Sequence, residues 1–160
     1  MPPEAQMAHS TATRRSAGQH RPHPLWLPKD RPPGAVLDVG ALPTAPRRAR
    51  AWTRRVLREW QLPVLSDTAE LVVSELTTNA MLASRRLCRP FIRLTLTLDH
   101  GELAISVHDC CTSAPEPRNA GEEDEDGRGL LLVEAVSSRS GWYTSDDGTP
   151  GKVVWAVLAG

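Results

Sequence analysis

Residues 67–81 read DTAELVVSELTTNAM, and this stretch decides the predicted fold. Its apolar residues form a broad surface at helical spacing, which predicts a helix at the centre of the core. Asp67 and Glu70 have the spacing of a capping box, so we expect Asp67 to cap the start of this helix. Glu75 and Asn79 lie four residues apart and therefore project from the same side of it.

The pair Glu75 and Asn79 has two interpretations. A carboxylate and a carboxamide on an apolar helix need polar partners, because burying them unpaired is costly. In the first interpretation they are an acidic residue and a satisfied amide at the edge of the helix. In the second they form a metal and phosphate site, where Asn79 gives Mg²⁺ a neutral oxygen ligand and Glu75 orients or deprotonates a nucleophile. The pair alone favours the first interpretation.

The segments before this helix predict a strand and a second helix. Ala35 to Val39 is a short apolar stretch suited to a strand. A helix then starts near Pro46 and ends before Pro63. Its apolar residues recur at helical spacing, and arginines between them give it a basic outer face; the apolar positions are Ala49, Trp52, Val56 and Trp60.

The segments after it predict two hairpins separated by a loop and a helix. Residues 92–98 and 103–107 alternate between apolar and polar side chains around a turn at 99–102, which is typical of a β-hairpin. Residues 110–126 form a long loop with an acidic run, which suggests a lid. Residues 142–158 form the closing hairpin. This order predicts an α+β fold, a two-layer α/β sandwich with helices on one face of a mainly antiparallel sheet.

Gly127-Arg128-Gly129-Leu130 leads from the loop into an apolar helix. Glycines at a helix start let backbone N–H groups approach an anion, and the helix N-terminus favours phosphate. Glycine is also common in loops that lead into a helix. This motif alone therefore does not distinguish a phosphate site from an ordinary loop.

Composition indicates one domain with a tail. The 160 residues carry a formal net charge of +0, which argues against a broad nucleic-acid surface. We expect residues 1–33, rich in Pro and Arg, to be a disordered tail, and residues 34–160 to be the folded domain. No stretch resembles a signal peptide or a membrane span, so the cytoplasm is the expected location. The three cysteines do not suggest a secreted disulfide framework.

The motifs together resemble those of the GHKL ATPase superfamily. They are Ser74 to Ala80, Val107 to Asp109, Gly127 to Leu130, and Gly151 to Trp155, in that order along the chain. The likeness is greatest to the small anti-sigma-factor serine/threonine kinases of actinomycetes. It implies a Bergerat-type ATP-binding fold over roughly Ala35 to Leu158.

The resemblance also implies a role for each matched residue. Asn79 would coordinate Mg²⁺ at the ATP phosphates, and Glu75 would orient or activate the attacking hydroxyl or water. Asp109 would accept a hydrogen bond from the adenine amino group. The lid residues Gly127, Arg128, Gly129 and Leu130 would bind the nucleotide near its phosphates. This family usually has a glycine two residues after the aspartate, and here that position is Cys111.

The implied function is transfer of the ATP γ-phosphoryl group to a serine or threonine of an antagonist protein, with a sigma factor as the other partner. Relatives in this branch often form homodimers. Two alternatives stay open: a non-catalytic module of the same fold that sequesters a regulator, and a stand-alone ATPase. Cys110-Cys111 is either two small side chains at a strand end or a redox switch.

Overall fold

The computed structural model describes residues 34–85, 91–115, 129–145 and 148–160. The expected tail at 1–33, most of the expected lid, and the lid residues Gly127 and Arg128 lie outside them. The elements are β1 (Ala35–Gly40), α1 (Ala45–Glu59), a 3₁₀ turn (Pro63–Leu65), α2 (Ser66–Ser84), β2 (Phe91–Asp99), β3 (Glu102–Asp109), α3 (Gly129–Val136), β4 (Arg139–Ser145) and β5 (Gly151–Ala159).

The five strands form one antiparallel sheet in the order β1-β2-β3-β5-β4. The helix α2 packs against β2, β3 and β5, whereas α1 packs against α2 and β1. This arrangement confirms the predicted α+β fold, with helices over a mainly antiparallel sheet. The position of β5 between β3 and β4 brings the end of β3 next to the start of β5, where Asp109 pairs with Lys152.

The core lies between the sheet and the helices. Strand alternation sends one set of side chains toward α2, and six of these are fully buried: Ile92, Leu94, Leu96, Leu103, Ile105 and Val107. Burying a side chain of this size contributes about 1.5–3 kcal/mol. Leu98 continues the same alternation but is 40% exposed. The pairing of β1 with β2 stops at Ala35 and Leu96, so among the described residues Leu98 lacks a strand neighbour on that side.

The sequence predicts a turn at 99–102, and in the structure the strands pair as far as Asp99 and Glu102, so only two residues lie between them. His100 and Gly101 have φ values of 48° and 81°. Positive φ at both central residues gives the twist that matches paired antiparallel strands. Gly101 takes this conformation without strain because it has no side chain.

The capping box predicted at Asp67 is wrong. The helix α2 begins at Ser66, directly after the 3₁₀ turn, and among the described residues no side chain caps it. Leu65, the residue before it, already has helical dihedral angles, so the chain enters the helix without the extended residue that a capping box needs. Glu70 instead accepts hydrogen bonds from Arg54 Nε (2.8 Å) and Ser66 Oγ (3.1 Å).

Within the described parts of the chain, no helix is both long enough and apolar enough to cross a membrane.

Candidate functional site

Asp109 ends β3 on the face of the sheet that carries the core. Its side chain is 1% exposed. One carboxylate oxygen, Oδ1, accepts hydrogen bonds from Lys152 Nζ at 2.9 Å and from the Cys111 backbone N–H at 2.8 Å. The other oxygen, Oδ2, is buried and has no hydrogen-bond partner among the described residues. Buried acceptors without a partner are uncommon in folded proteins, so Oδ2 marks a place where a ligand can donate a hydrogen bond.

Lys152 balances the charge of Asp109. Its side chain is 3% exposed and lies opposite Asp109 in the β3–β5 register. Burial raises the pKa of the Asp109 carboxyl, and the Lys152 ammonium opposes that rise. Lys152 Nζ also lies 3.4 Å from the Cys111 carbonyl oxygen. The lysine and the turn after β3 therefore hold the same carboxylate oxygen from two sides.

Cys111 occupies the position where the resembled family usually has glycine. Its backbone N–H makes the hydrogen bond to Asp109 that a glycine would make. The turn thus holds the carboxylate without needing a glycine. Both Cys110 and Cys111 are half-buried, and a redox role for them stays a prediction.

Glu75 and Gly129 are brought into contact by the packing of α2 on α3. A Cβ added to Gly129 would overlap the Oε2 atom of Glu75. Because Gly129 has no side chain, the Glu75 carboxylate fits against the start of α3. This contact joins a predicted catalytic carboxylate to a predicted lid glycine.

Asn79 lies one helical turn after Glu75 on α2. Its Nδ2 atom is buried and has no hydrogen-bond partner among the described residues. A half turn of the carboxamide exchanges its oxygen for its nitrogen, so the same place can present an acceptor. Magnesium commonly binds one or two protein oxygens together with phosphates and waters, so a single amide fits such a site.

Leu130 follows Gly129 and is 7% exposed in the hydrophobic core. It anchors α3, and its predicted contact with a nucleotide stays a prediction. The same holds for Gly127 and Arg128, which lie outside the described residues.

Sequence reasoning missed Lys152 as a site residue. Alternation along β5 puts position 152 on the same side as Val154, Ala156 and Leu158, which are all buried. A lysine on the apolar side of a strand needs a buried anion. That signal was present, but the sequence does not give the register that identifies Asp109 as the anion.

The described residues fit an adenine nucleotide with Mg²⁺ at three points. The Asp109 Oδ2 atom can accept from an amino group, the Asn79 amide can turn toward a metal, and the Gly129 position leaves room for the Glu75 carboxylate. Among the described residues, Asp109 Oδ2 and Asn79 Nδ2 are buried polar atoms that have no hydrogen-bond partner.

Comparison with known proteins agrees with this fit. The model of one family, described as the histidine kinase-like ATPase domain, matches residues 39–158. The match begins near the end of β1 and ends one residue before the end of β5, so it includes the helices α1 to α3, the strands β2 to β4 and most of β5. No curated protein matches the chain.

Proposed function

The chain belongs to the family of histidine kinase-like ATPase domains, within the GHKL superfamily of ATP-binding proteins, and on that premise we propose that it is a protein serine/threonine kinase of the anti-sigma-factor type. It would transfer the ATP γ-phosphoryl group to a serine or threonine of an antagonist protein, and it would sequester a sigma factor. The expected place of action is the cytoplasm.

The observation that carries the proposal is the half-satisfied carboxylate of Asp109. The protein holds one oxygen of this buried carboxylate, and the other oxygen has no hydrogen-bond partner among the described residues, so the group can accept a ligand's hydrogen bond from one direction. The adenine amino group is a donor of this kind. This position at the end of β3 matches the aspartate of the family's adenine motif.

Residues of α2 and of the start of α3 would carry out the phosphoryl transfer. Asn79 would hold Mg²⁺, which neutralises charge on the phosphates during transfer. Glu75, one turn earlier, would accept the proton of the attacking serine or threonine hydroxyl. The contact of Glu75 with Gly129 supports this role, because it places the carboxylate at the start of the lid helix.

The basic outer face of α1 is the surface that we propose for the protein partner. Arg47, Arg50 and Arg58 are exposed there. Such a surface attracts an acidic partner and speeds its association at low salt. We also propose that the protein can form a homodimer, as relatives in the resembled branch often do.

Calorimetric titration with Mg-ATP tests nucleotide binding. We expect saturable binding that is weakened by Asn79→Ala and by Asp109→Asn. Asp67→Asn is the matched control, since it makes the same carboxylate-to-amide change at an exposed site on α2. Absence of binding at millimolar ATP would refute the proposal.

Phosphoryl transfer needs a second measurement with Glu75→Gln. We expect this variant to bind Mg-ATP like the wild type but to lose phosphate transfer to the antagonist protein. Binding of the partner without any transfer by the wild type would instead favour the non-catalytic module. Phosphate release without a protein acceptor would favour a stand-alone ATPase.

A further inference from the structure

Lys152 and Asp109 form an ion pair that is almost fully closed to solvent. Their side chains are 3% and 1% exposed, and the Nζ to Oδ1 distance is 2.9 Å. Because Oδ1 also accepts from the Cys111 N–H, its hydrogen-bonding capacity is used by the protein. Only Oδ2 is left for a ligand, and among the described residues it has no partner.

We propose that Lys152 is a positioning residue that sets the base specificity of the nucleotide site. By holding Oδ1 it keeps Asp109 ionised and turned so that Oδ2 meets the base as a pure acceptor. A purine with a 6-amino group would be accepted, and one with a 6-oxo group would be repelled. This inference rests on the proposed nucleotide site and goes beyond it, since it assigns the selection to Lys152, to which the resemblance gives no role.

The reason for a cation here is the chemistry of the carboxyl group. An ionised carboxylate only accepts hydrogen bonds, whereas a protonated one also donates. A protonated Asp109 could donate to a 6-oxo group and would lose its selectivity. Burial favours that protonated form and raises the pKa of the Asp109 carboxyl, and Lys152 works against it.

The other titratable groups around Asp109 do not take the place of Lys152. His108, the preceding residue on β3, also favours the ionised carboxylate, but its effect is smaller than that of Lys152 and its side chain points to the opposite face of the sheet. Cys110 and Cys111 follow in the chain as half-buried thiols. Glu75, the acidic residue of the predicted site on α2, lies against Gly129 and is not among the groups that shift the pKa of Asp109.

A structural role alone does not explain the lysine. A core position on β5 could hold an apolar residue like its neighbours Val154 and Ala156, and an apolar replacement of a buried ion pair is often neutral or stabilising. The ion pair instead holds Oδ1 and leaves Oδ2 without a partner among the described residues, which makes it an acceptor for a ligand.

Lys152→Met tests the inference by comparing the affinities for Mg-ATP and for the magnesium complex of inosine triphosphate, which has a 6-oxo group. The wild type should keep a constant preference for ATP between about pH 6 and pH 9. In Lys152→Met the preference should fall by about tenfold at the acidic end, the difference between a charge-assisted and a neutral hydrogen bond, and should recover toward the alkaline end. Lys152→Arg keeps the cation and should keep the preference.

Two further measurements separate the inference from protein stability and from the proposed function. The double variant Asp109→Asn with Lys152→Met removes both charges together, so it leaves no unpaired buried ion. It should show only a weak preference for ATP over inosine triphosphate at every pH. Carbon NMR of the Asp109 carboxyl without nucleotide should show a higher pKa in Lys152→Met than in the wild type.

The outcomes are distinct. A wild type that binds neither nucleotide refutes the proposed site and with it the specificity role. If the wild type binds ATP and Lys152→Met keeps the same preference for ATP and the same pH profile, the role of Lys152 is overturned. The proposed site is then unaffected. An unchanged Asp109 pKa in the ligand-free variant overturns the role of Lys152 as well.

Discussion

Replacing Gly151 with alanine should lower the free energy of unfolding more than the same change at any other glycine in the described turns. A Cβ at this position would lie 2.8 Å from His108 Nε2 and closer still to the carbonyl oxygen of Asp109. The carbonyl belongs to the backbone of β3, which is held in register with β5 at Asp109 and Lys152. It cannot turn away as a flexible side chain would, so the two strands would have to separate.

The magnitude follows from two effects. The backbone at Gly151 has a φ of +157°, which residues with side chains rarely adopt, and such conformations cost about 1–3 kcal/mol. Forcing an extra carbon into a packed site adds about 1–3 kcal/mol. Together they give a loss of roughly 4 kcal/mol, a large part of the total stability of a domain. In urea this corresponds to a fall in the midpoint of about 2 M.

The assay is urea unfolding followed by tryptophan fluorescence, with Gly101→Ala as the control. Gly101 also has positive φ, at +81°, but a Cβ there would meet no atom within 4 Å. Its substitution should cost only the strain of a left-handed alanine, about 1–2 kcal/mol. Equal midpoint shifts for the two variants would refute the argument. They would mean that backbone strain alone causes the loss of stability and that the contact with Asp109 contributes nothing.

Three other substitutions test separate parts of the structure. Gly129→Ala should lower the free energy of unfolding by about 1–3 kcal/mol, because the Glu75 carboxylate would have to leave the position that the added methyl group takes. That displacement should also slow phosphate transfer by about a hundredfold, and unchanged transfer would contradict the role of Glu75. Leu96→Ala, at a fully buried position, should cost about 2–5 kcal/mol in urea unfolding, and a smaller loss would mean that the core relaxes around the cavity. The hydrogen bond from Arg54 lowers the pKa of Glu70 from its usual 4.5, so this carboxylate stabilises the fold above that pH and loses its contribution as the pH falls through the lowered value. Glu70→Gln should therefore flatten the loss of stability on acidification, and identical acid unfolding curves for variant and wild type would contradict this.

Local patterns in the sequence predicted the elements well. Alternation over 92–98 and 103–107 gave the hairpin, and positive φ at His100 and Gly101 confirms the turn between them. These features depend on residues close in the chain. The start of α2 was misjudged because Leu65 enters it from a 3₁₀ turn, and that entry depends on the three-dimensional path of the chain rather than on a capping pattern.

Long-range features were not available from the sequence. The strand order and the register of β5 place Lys152 against Asp109, and no local pattern specifies either. The roles of Glu75, Asn79 and Asp109 came from resemblance. The structure adds that Asp109 Oδ2 and Asn79 Nδ2 are buried without partners in the described chain, which periodicity cannot reveal.

The strand order also sets the sequence of events as the chain folds. The β2–β3 hairpin closes over two residues and can form within about 1–10 μs. By contrast, β5 must return across a separation of 43 residues to pair Lys152 with Asp109, and long-range pairings of this kind form late. Until β5 arrives, β3 exposes a row of unpaired N–H and C=O groups that can join a strand of another chain. We therefore expect newly made chains to be most prone to aggregate in this interval, and substitutions that slow β5 docking to lower the yield of folded protein even where the finished domain is stable.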